Sequence, residues 1–102
     1  MTSARTLPVD RYVIETLMRD LISHDKRPSA FVVYLWLWSR THGVERQSVH
    51  QSHQQLADAT GLSKSAVQSA IKVLLRRHLI GARQASRTST PEYVVHRPWA
   101  ER

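Results

Sequence analysis

Cysteine is absent from this chain of 102 residues. A disulfide framework and a thiolate metal site are therefore both excluded. The chain also lacks a long apolar run, since the longest covers nine residues, Ala30 to Trp38, whereas a membrane-spanning helix needs about 20. The first residues hold no apolar stretch of the signal-peptide kind. We therefore expect a soluble, cytoplasmic protein with no membrane partner.

Clusters of catalytic side chains and a glycine-rich phosphate loop are lacking as well. The six histidines are scattered, and only His50 and His53 lie close together, with no carboxylate beside them to complete a metal site. We expect a protein that is not an enzyme and that carries no cofactor and no metal. The length predicts one domain over residues 1–102, and roughly 60–70% of the unfolded surface of such a chain is buried on folding.

Acidic side chains are missing from one long stretch. Between Asp58 and Glu92 there are six lysines and arginines and no acid, and the whole chain carries a net charge of +7. Basic charge concentrated in one half of a chain indicates a polyanionic partner, and DNA or RNA is the first expectation. From charge alone, a solvated basic surface is the alternative.

Two apolar helices are predicted within residues 9–42. From Val9 to His24, apolar residues recur at helical spacing in two adjacent stripes. So broad an apolar face is wider than one neighbouring helix needs, so we expect it to be covered by the next helix or by a second subunit. If a second subunit covers this face, the protein is a homodimer through the N-terminal helices. The stripes contain Tyr12, Val13, Leu17 and Leu21, and Ile14, Met18 and Ile22.

The second of these helices is predicted from Ser29 to about His42. Its apolar composition would also suit a buried strand, but its length of about fourteen residues favours a helix. Pro28 fits the first turn, and Gly43 is predicted as the C-cap. We expect the tryptophans in this helix to lie in the core, with a partner surface as the alternative.

Residues 52–78 predict two short helices joined by a tight turn. Ser52 and Gln55 form a capping-box pattern, Gly61 permits a sharp turn, and Ser63 is placed to cap the second helix. The predicted buried stripe of that helix contains Val67, Ala70, Ile71, Leu74 and Leu75. The opposite, polar stripe contains Lys64, Ser65, Gln68, Ser69 and Lys72.

Residues 79–97 predict a β-hairpin, with strands at 79–84 and 92–97 and a polar loop between them. Arg87 lies near the tip of this loop, and the segment Gln47–His50 predicts a short edge strand. Trp99 is expected to pack back onto the domain. The expected fold is therefore mainly α with a small β-hairpin, built from about four helices and two or three short strands.

The string L-A-x-x-T-G-L-S-x-x-x-V-x-x-A-I-x-x-L, from Leu56 to Leu74, is followed by Leu79-Ile80 and the basic hairpin. It resembles the winged helix-turn-helix domain of MarR-like and GntR-like bacterial transcription regulators. This resemblance spans residues 48–97. It implies sequence-specific binding of double-stranded DNA by a small bacterial, phage or plasmid regulator, or alternatively a role in replication or plasmid maintenance.

This sequence departs from the family pattern in two ways. His78 stands where the family often has glycine, so a histidine is expected to adopt the left-handed conformation. The chain also shows neither the ligand-binding domain of GntR-like proteins nor the C-terminal helix with which MarR-like proteins dimerise. The resemblance therefore predicts neither effector sensing nor the usual dimer.

The resemblance implies that the helix from Ser63 to His78 enters the major groove of DNA. The base edges are assigned to Lys64, Ser65 and Gln68, and phosphate contacts to Ser69 and Lys72. The start of the preceding helix is expected to meet the DNA backbone through Ser52, His53 and Gln54. The wing is expected to reach phosphate or the minor groove through Arg83 and Arg87. The competing interpretation is a winged-helix module that binds another protein through the Trp36/Trp38 helix.

Overall fold

The computed structural model describes residues 5–100, which form four helices and one three-stranded antiparallel sheet. The strand order is β1-β3-β2. This arrangement confirms a mainly α fold with a small sheet. Among the described residues, none of the helices is both long and apolar enough to cross a membrane. The helices are α1 (11–24), α2 (Pro28–Arg40), α3 (His53–Thr60) and α4 (Lys64–Arg76), and the strands are β1 (Val49–His50), β2 (Ile80–Arg83) and β3 (Glu92–Val95).

Helix α1 begins two residues later than predicted and contains two stretches of wide, π-type turn, Val13–Leu17 and Asp20–His24. In these turns each backbone N–H bonds to the carbonyl five residues back rather than four. The wider turn brings residues four apart almost into line, and Val13, Leu17 and Leu21 are all buried in this way. The second predicted stripe is not covered, because Ile14 and Ile22 remain 47% and 42% exposed.

Helix α2 confirms the helical interpretation of residues 29–42, and Pro28 occupies its first turn. The predicted C-cap at Gly43 is wrong. The helix ends at Thr41, whose hydroxyl donates to the Leu37 carbonyl at 2.8 Å. Gly43 instead lies in a short 3₁₀ turn, where a side chain would meet Leu7 at 3.2 Å. Its small size is required by this close approach rather than by a helix end.

The two tryptophans of α2 have different environments. Trp38 is 2% exposed, and its indole N–H donates to the Pro8 carbonyl at 2.8 Å. Trp36 is half-buried; its indole N–H donates to Gln51 Oε1 at 2.8 Å, and the Arg40 guanidinium lies 4.5 Å from its ring. The core prediction is therefore confirmed for Trp38, whereas Trp36 packs against the edge of the core and is only partly buried.

Helices α3 and α4 are capped as the sequence predicts. The Ser52 hydroxyl accepts from the Gln55 amide at 3.1 Å while Gln55 Oε1 accepts from the Ser52 amide at 2.8 Å, a complete capping box. Gly61 ends α3 with φ 82°, a left-handed value that strains any residue with a side chain. Ser63 then caps α4 by accepting from the Ala66 amide at 3.1 Å. The turn between the helices is thereby fixed by local bonds.

The C-terminal end of α4 confirms the left-handed histidine. His78 has φ 57°, its N–H donates to the Leu75 carbonyl at 3.0 Å, and the Leu79 N–H donates to the Leu74 carbonyl at 2.9 Å. This pair of bonds is the Schellman pattern, in which glycine is the preferred left-handed residue.

Replacing His78 with glycine is expected to stabilise the protein. Glycine adopts the left-handed conformation without the steric penalty of a side chain, which outweighs its greater freedom in the unfolded chain. We expect the unfolding free energy measured by urea denaturation to rise by about 0.5–1 kcal/mol. His78→Ala is the matched control and should lower it, whereas a loss of stability in His78→Gly would contradict this account.

The hairpin and the chain ends close the fold. Strand β3 pairs with β2 in the register Ile80↔Val95 to Arg83↔Glu92, so the predicted hairpin is confirmed with shorter strands. The Trp99 indole N–H donates to Asp10 Oδ2 at 3.0 Å, and its ring stacks on Tyr12 at 4.5 Å. Trp99 therefore packs back onto the domain, as expected.

Candidate nucleic-acid interface

Helix α4 presents a polar face to solvent along its whole length. The five residues predicted for this face, Lys64, Ser65, Gln68, Ser69 and Lys72, are all exposed. Arg76 is exposed as well. It follows Lys72 by four residues, so the two side chains lie on the same face of the helix. It was not included among the predicted contacts, although its position at Lys72+4 was a sufficient signal.

The buried side of α4 differs from the prediction at one position. Leu75 was placed in the buried stripe but is 37% exposed, while Val73 is buried. Leu75 lies at the edge of the helix, where it lines a groove rather than the core. Val67, Ala70, Ile71 and Leu74 are buried as predicted, so the rotation of the helix is fixed.

That groove runs between α4, the start of α3 and the hairpin, with a volume of about 430 Å³. It brings Ser52, His53 and Gln54 together with Lys64 of α4. The other wall is the hairpin loop, including Gln84 and the segment 88–91. The groove thus brings together four of the predicted contacts. The others do not line it: Ser63, Ser65, Gln68, Ser69, Lys72, Arg83 and Arg87.

Several of the predicted polar contacts already have structural partners. The Ser52 and Ser63 hydroxyl oxygens cap α3 and α4, and the Ser63 hydroxyl also shares a hydrogen bond with the Ser65 hydroxyl at 3.3 Å. The Gln54 amide donates to Asp58 Oδ1 at 3.0 Å within α3. The main role of Ser52 and Ser63 is therefore to cap the two helices, and any contact with a ligand is an additional role.

The hairpin loop is held by bonds within itself. The Gln84 side-chain amide donates to the Ser89 carbonyl at 2.6 Å, and the Ser86 backbone N–H donates to Ser89 Oγ at 2.9 Å. These bonds give the loop a defined shape although most of it is exposed. Arg87 lies at the tip of this loop, and its side chain is exposed. Its positive charge is therefore accessible to a ligand.

The predicted phosphate contact Arg83 has an acidic neighbour. Its guanidinium donates to Glu92 Oε1 at 3.0 Å, and the Ser48 hydroxyl donates to Glu92 Oε2 at 2.6 Å. The hydrogen bonds from Ser48 and Arg83 hold the pKa of Glu92 below its ordinary value. The Arg83 side chain is nevertheless 84% exposed, so a phosphate would compete with the carboxylate for it.

The remaining cations of this surface are unpaired with acids. Within residues 5–100, Arg77 forms a salt bridge with Asp25 at 2.7 Å and Arg83 with Glu92. Over the same range no salt bridge involves Lys64, Lys72, Arg76 or Arg87. Four cations without an acidic partner in this range therefore lie on the exposed face of α4 and at the hairpin tip.

The pair His50 and His53 belongs to no metal-binding cluster. In the part of the chain that the structure describes, no group of three or more histidine, cysteine or acidic side chains is placed to hold a metal ion. Comparison of this chain with known protein families, with characterised proteins and with solved structures finds no match.

Proposed function

We propose that this chain is a winged helix-turn-helix protein that binds double-stranded DNA as a small transcription regulator. One observation carries the proposal. A doubly capped helix pair holds α4 with its uncompensated cations facing outward, next to the basic tip of a hairpin. The left-handed turn at Gly61 sets the angle between the helices. On this proposal the hairpin is the wing.

The dimensions and side chains of α4 suit the major groove. That groove is about 12 Å wide and admits an α-helix, whose diameter with side chains is about 10–12 Å. Lys64, Ser65 and Gln68, in the N-terminal half of α4, supply donors and an amide for base edges. Lys72 and Arg76, one and two turns further on, are placed for phosphates. Arg87 extends the contact to phosphate or to the minor groove beyond the helix.

The salt dependence of binding tests the proposal. If Lys64, Lys72, Arg76 and Arg87 each neutralise a phosphate, the slope of log K against log salt reaches about −3.6 on a duplex of about 12 base pairs, and it is shallower by about 0.9 where Lys64 contacts a base edge instead. The measurement is a fluorescence anisotropy titration with a labelled duplex at several salt concentrations. Absence of binding at low salt, or binding that is insensitive to salt, would contradict the proposal.

We further propose a homodimer through the N-terminal helices. Ile14, Met18 and Ile22 recur every four residues on α1; the two isoleucines are nearly half exposed, while Met18 packs partly against the core. A two-fold dimer would bury this stripe and present two copies of α4 to two half-sites of one operator.

Sedimentation equilibrium tests the dimer with Ile14→Glu/Ile22→Glu as the comparison. The wild-type chain should sediment as a dimer and the variant as a monomer, because four glutamates would face one another across the two-fold axis. The helical circular dichroism of the variant should be unchanged, since neither side chain belongs to the core. A wild-type chain that stays monomeric at high concentration would remove the dimer.

Protein binding is the second candidate function, favoured by the exposed side of α2. Val32, Leu35 and Trp36 line an apolar groove of about 480 Å³ together with Leu7 and Phe31. Trp38 cannot contribute to such a surface because it is buried. A partner seated there would bind through apolar contacts, with little dependence on salt, so the titration above distinguishes the two functions.

A further inference from the structure

A second cationic groove lies beside β1, at the edge of the sheet. It has a volume of about 520 Å³, and its lining includes Arg40, Arg46 and His50. Within residues 5–100 neither arginine forms a salt bridge. The Arg40 guanidinium is positioned over the Trp36 ring at 4.5 Å. Two exposed guanidinium groups and an imidazole therefore face one concave surface without a compensating acid.

This groove lies at the free edge of the sheet, where β1 meets the end of α2, and it shares no lining residue with the groove beside α4. Side chains alternate between the two faces of a strand. Ala82 and Tyr93 pair across the sheet and line the groove beside α4. The next residues along, Arg83 and Glu92, pair with each other and lie on the outer face, which is also the face of His50 because it pairs with Glu92. The outer face thus has its own row of polar side chains.

The two faces are joined by a continuous path around the base of the hairpin loop. His50 lines the Arg40–Arg46 groove and also a neighbouring groove of about 600 Å³ with Arg83. Gln84, Ser89 and Thr90 line that neighbouring groove and the α4 groove alike. Three adjoining grooves, taken together as a track, therefore lie between Lys64 on α4 and Arg46 at the edge of the sheet.

Glu92 is the one acid that lines these connected grooves. Its two carboxylate oxygens already accept hydrogen bonds from Ser48 and Arg83, so its negative charge is partly compensated. The rest of the track carries cations and neutral polar groups. Arginine presents a planar fork of donors that matches phosphate oxygens in two-point contacts. The track therefore suits a phosphate backbone better than an apolar or cationic partner.

We propose that the Arg40–Arg46 groove binds the phosphate backbone of the duplex that flanks the segment held by α4, so that the bound DNA bends around the hairpin. This inference rests on the proposed function. The described residues extend over 35 × 33 × 29 Å, a length that a straight duplex covers in about ten base pairs. Because the Arg40–Arg46 groove shares no lining residue with the groove beside α4, a duplex on α4 must extend past the hairpin loop and bend toward the sheet edge to reach Arg46.

The test compares Arg40→Gln/Arg46→Gln with the wild-type chain on a duplex of about 12 base pairs and on one of about 30. Affinity for the longer duplex should fall roughly tenfold, and its salt slope should become shallower by about 1.8, which corresponds to two lost phosphate contacts. Affinity for the shorter duplex should be unchanged. Energy transfer between dyes at the two ends of the longer duplex should rise on binding to the wild-type chain and not on binding to the variant.

Three further variants make the result specific. Arg40→Lys/Arg46→Lys keeps both charges and should retain most of the affinity for the longer duplex, while Arg46→Gln alone should show about half of the change in salt slope. Lys64→Gln/Lys72→Gln should weaken binding to both duplexes, and if it weakens neither, the proposed function itself fails. If Lys64→Gln/Lys72→Gln does weaken binding to both duplexes, either of two results would overturn the inference. Arg40→Gln/Arg46→Gln would lose affinity equally for both duplexes, or it would lose none for the longer one.

Discussion

Replacing Lys64 and Lys72 together with glutamine is expected to lower the affinity for duplex DNA by roughly 10- to 100-fold at about 100 mM salt. Both side chains are exposed on α4 and lack an acidic partner in the described part of the chain. Each would neutralise a phosphate or donate to a base edge. Their loss should also make the slope of log K against log salt shallower by up to about 1.8.

The matched control removes the same charge elsewhere. Lys26 and Arg27 are exposed in the linker between α1 and α2, form no salt bridge in the described part of the chain and do not line the groove beside α4. Lys26→Gln/Arg27→Gln lowers the net charge by the same two units and should change the affinity by less than about threefold, through long-range attraction alone. The comparison is made by fluorescence anisotropy. Equal losses in the two double variants would show that net charge, and not the face of α4, determines binding.

Trp38→Ala is expected to cost roughly 3–5 kcal/mol of unfolding free energy. The indole is buried in the core, donates to the Pro8 carbonyl at 2.8 Å, and lies 4.6 Å from the His42 ring. Removing it leaves a large cavity, and the Pro8 carbonyl loses a hydrogen bond. Domains of this size have a total stability of about 5–15 kcal/mol, so the effect should be evident in urea denaturation.

Trp36→Ala is the matched comparison within the same helix. The Trp36 indole is half-buried and contacts Gln51 and Arg40. Its removal should cost about 1–2 kcal/mol, from one hydrogen bond and one cation–π contact. If Trp38→Ala leaves the chain unfolded, Trp38→Phe retains most of the packing and allows the measurement. Equal costs at the two positions would contradict the assignment of Trp38 alone to the core.

Much of the fold could be predicted from local patterns in the sequence. The capping box at Ser52, the left-handed turn at Gly61 and the cap at Ser63 each depend on residues within four positions of one another. The left-handed His78 was predicted instead from the family resemblance, because the position is often glycine there. Local hydrogen bonds and backbone sterics decide these features, so no tertiary information was required.

The features that could not be predicted depend on contacts between distant residues. Composition makes Trp36 and Trp38 equivalent, and only the packing of α2 against the other helices distinguishes them. Gly43 resembles a helix cap in sequence, but the approach of Leu7 determines its role. The bond between Arg83 and Glu92 spans the hairpin and depends on the strand register. In each case a tertiary neighbour changed what the local pattern indicated.

The candidate site shows the same division. The exposed face of α4 follows from helical periodicity, so the five predicted residues on it were found in the sequence. The path around the hairpin could not be found in the sequence. It joins Arg40 and Arg46 to residues about 40 positions away in the chain, and this proximity depends on the pairing of β1 with β3.

The most direct test of the central claim is to map the bound duplex onto the chain by NMR. Backbone amide signals of the ¹⁵N-labelled protein would be followed during titration with a duplex at low salt. The account predicts that the largest changes fall within residues 52–54, 63–76 and 84–90, with small changes in α1. Changes concentrated on Val32, Leu35 and Trp36, or no changes at saturating duplex, would contradict it.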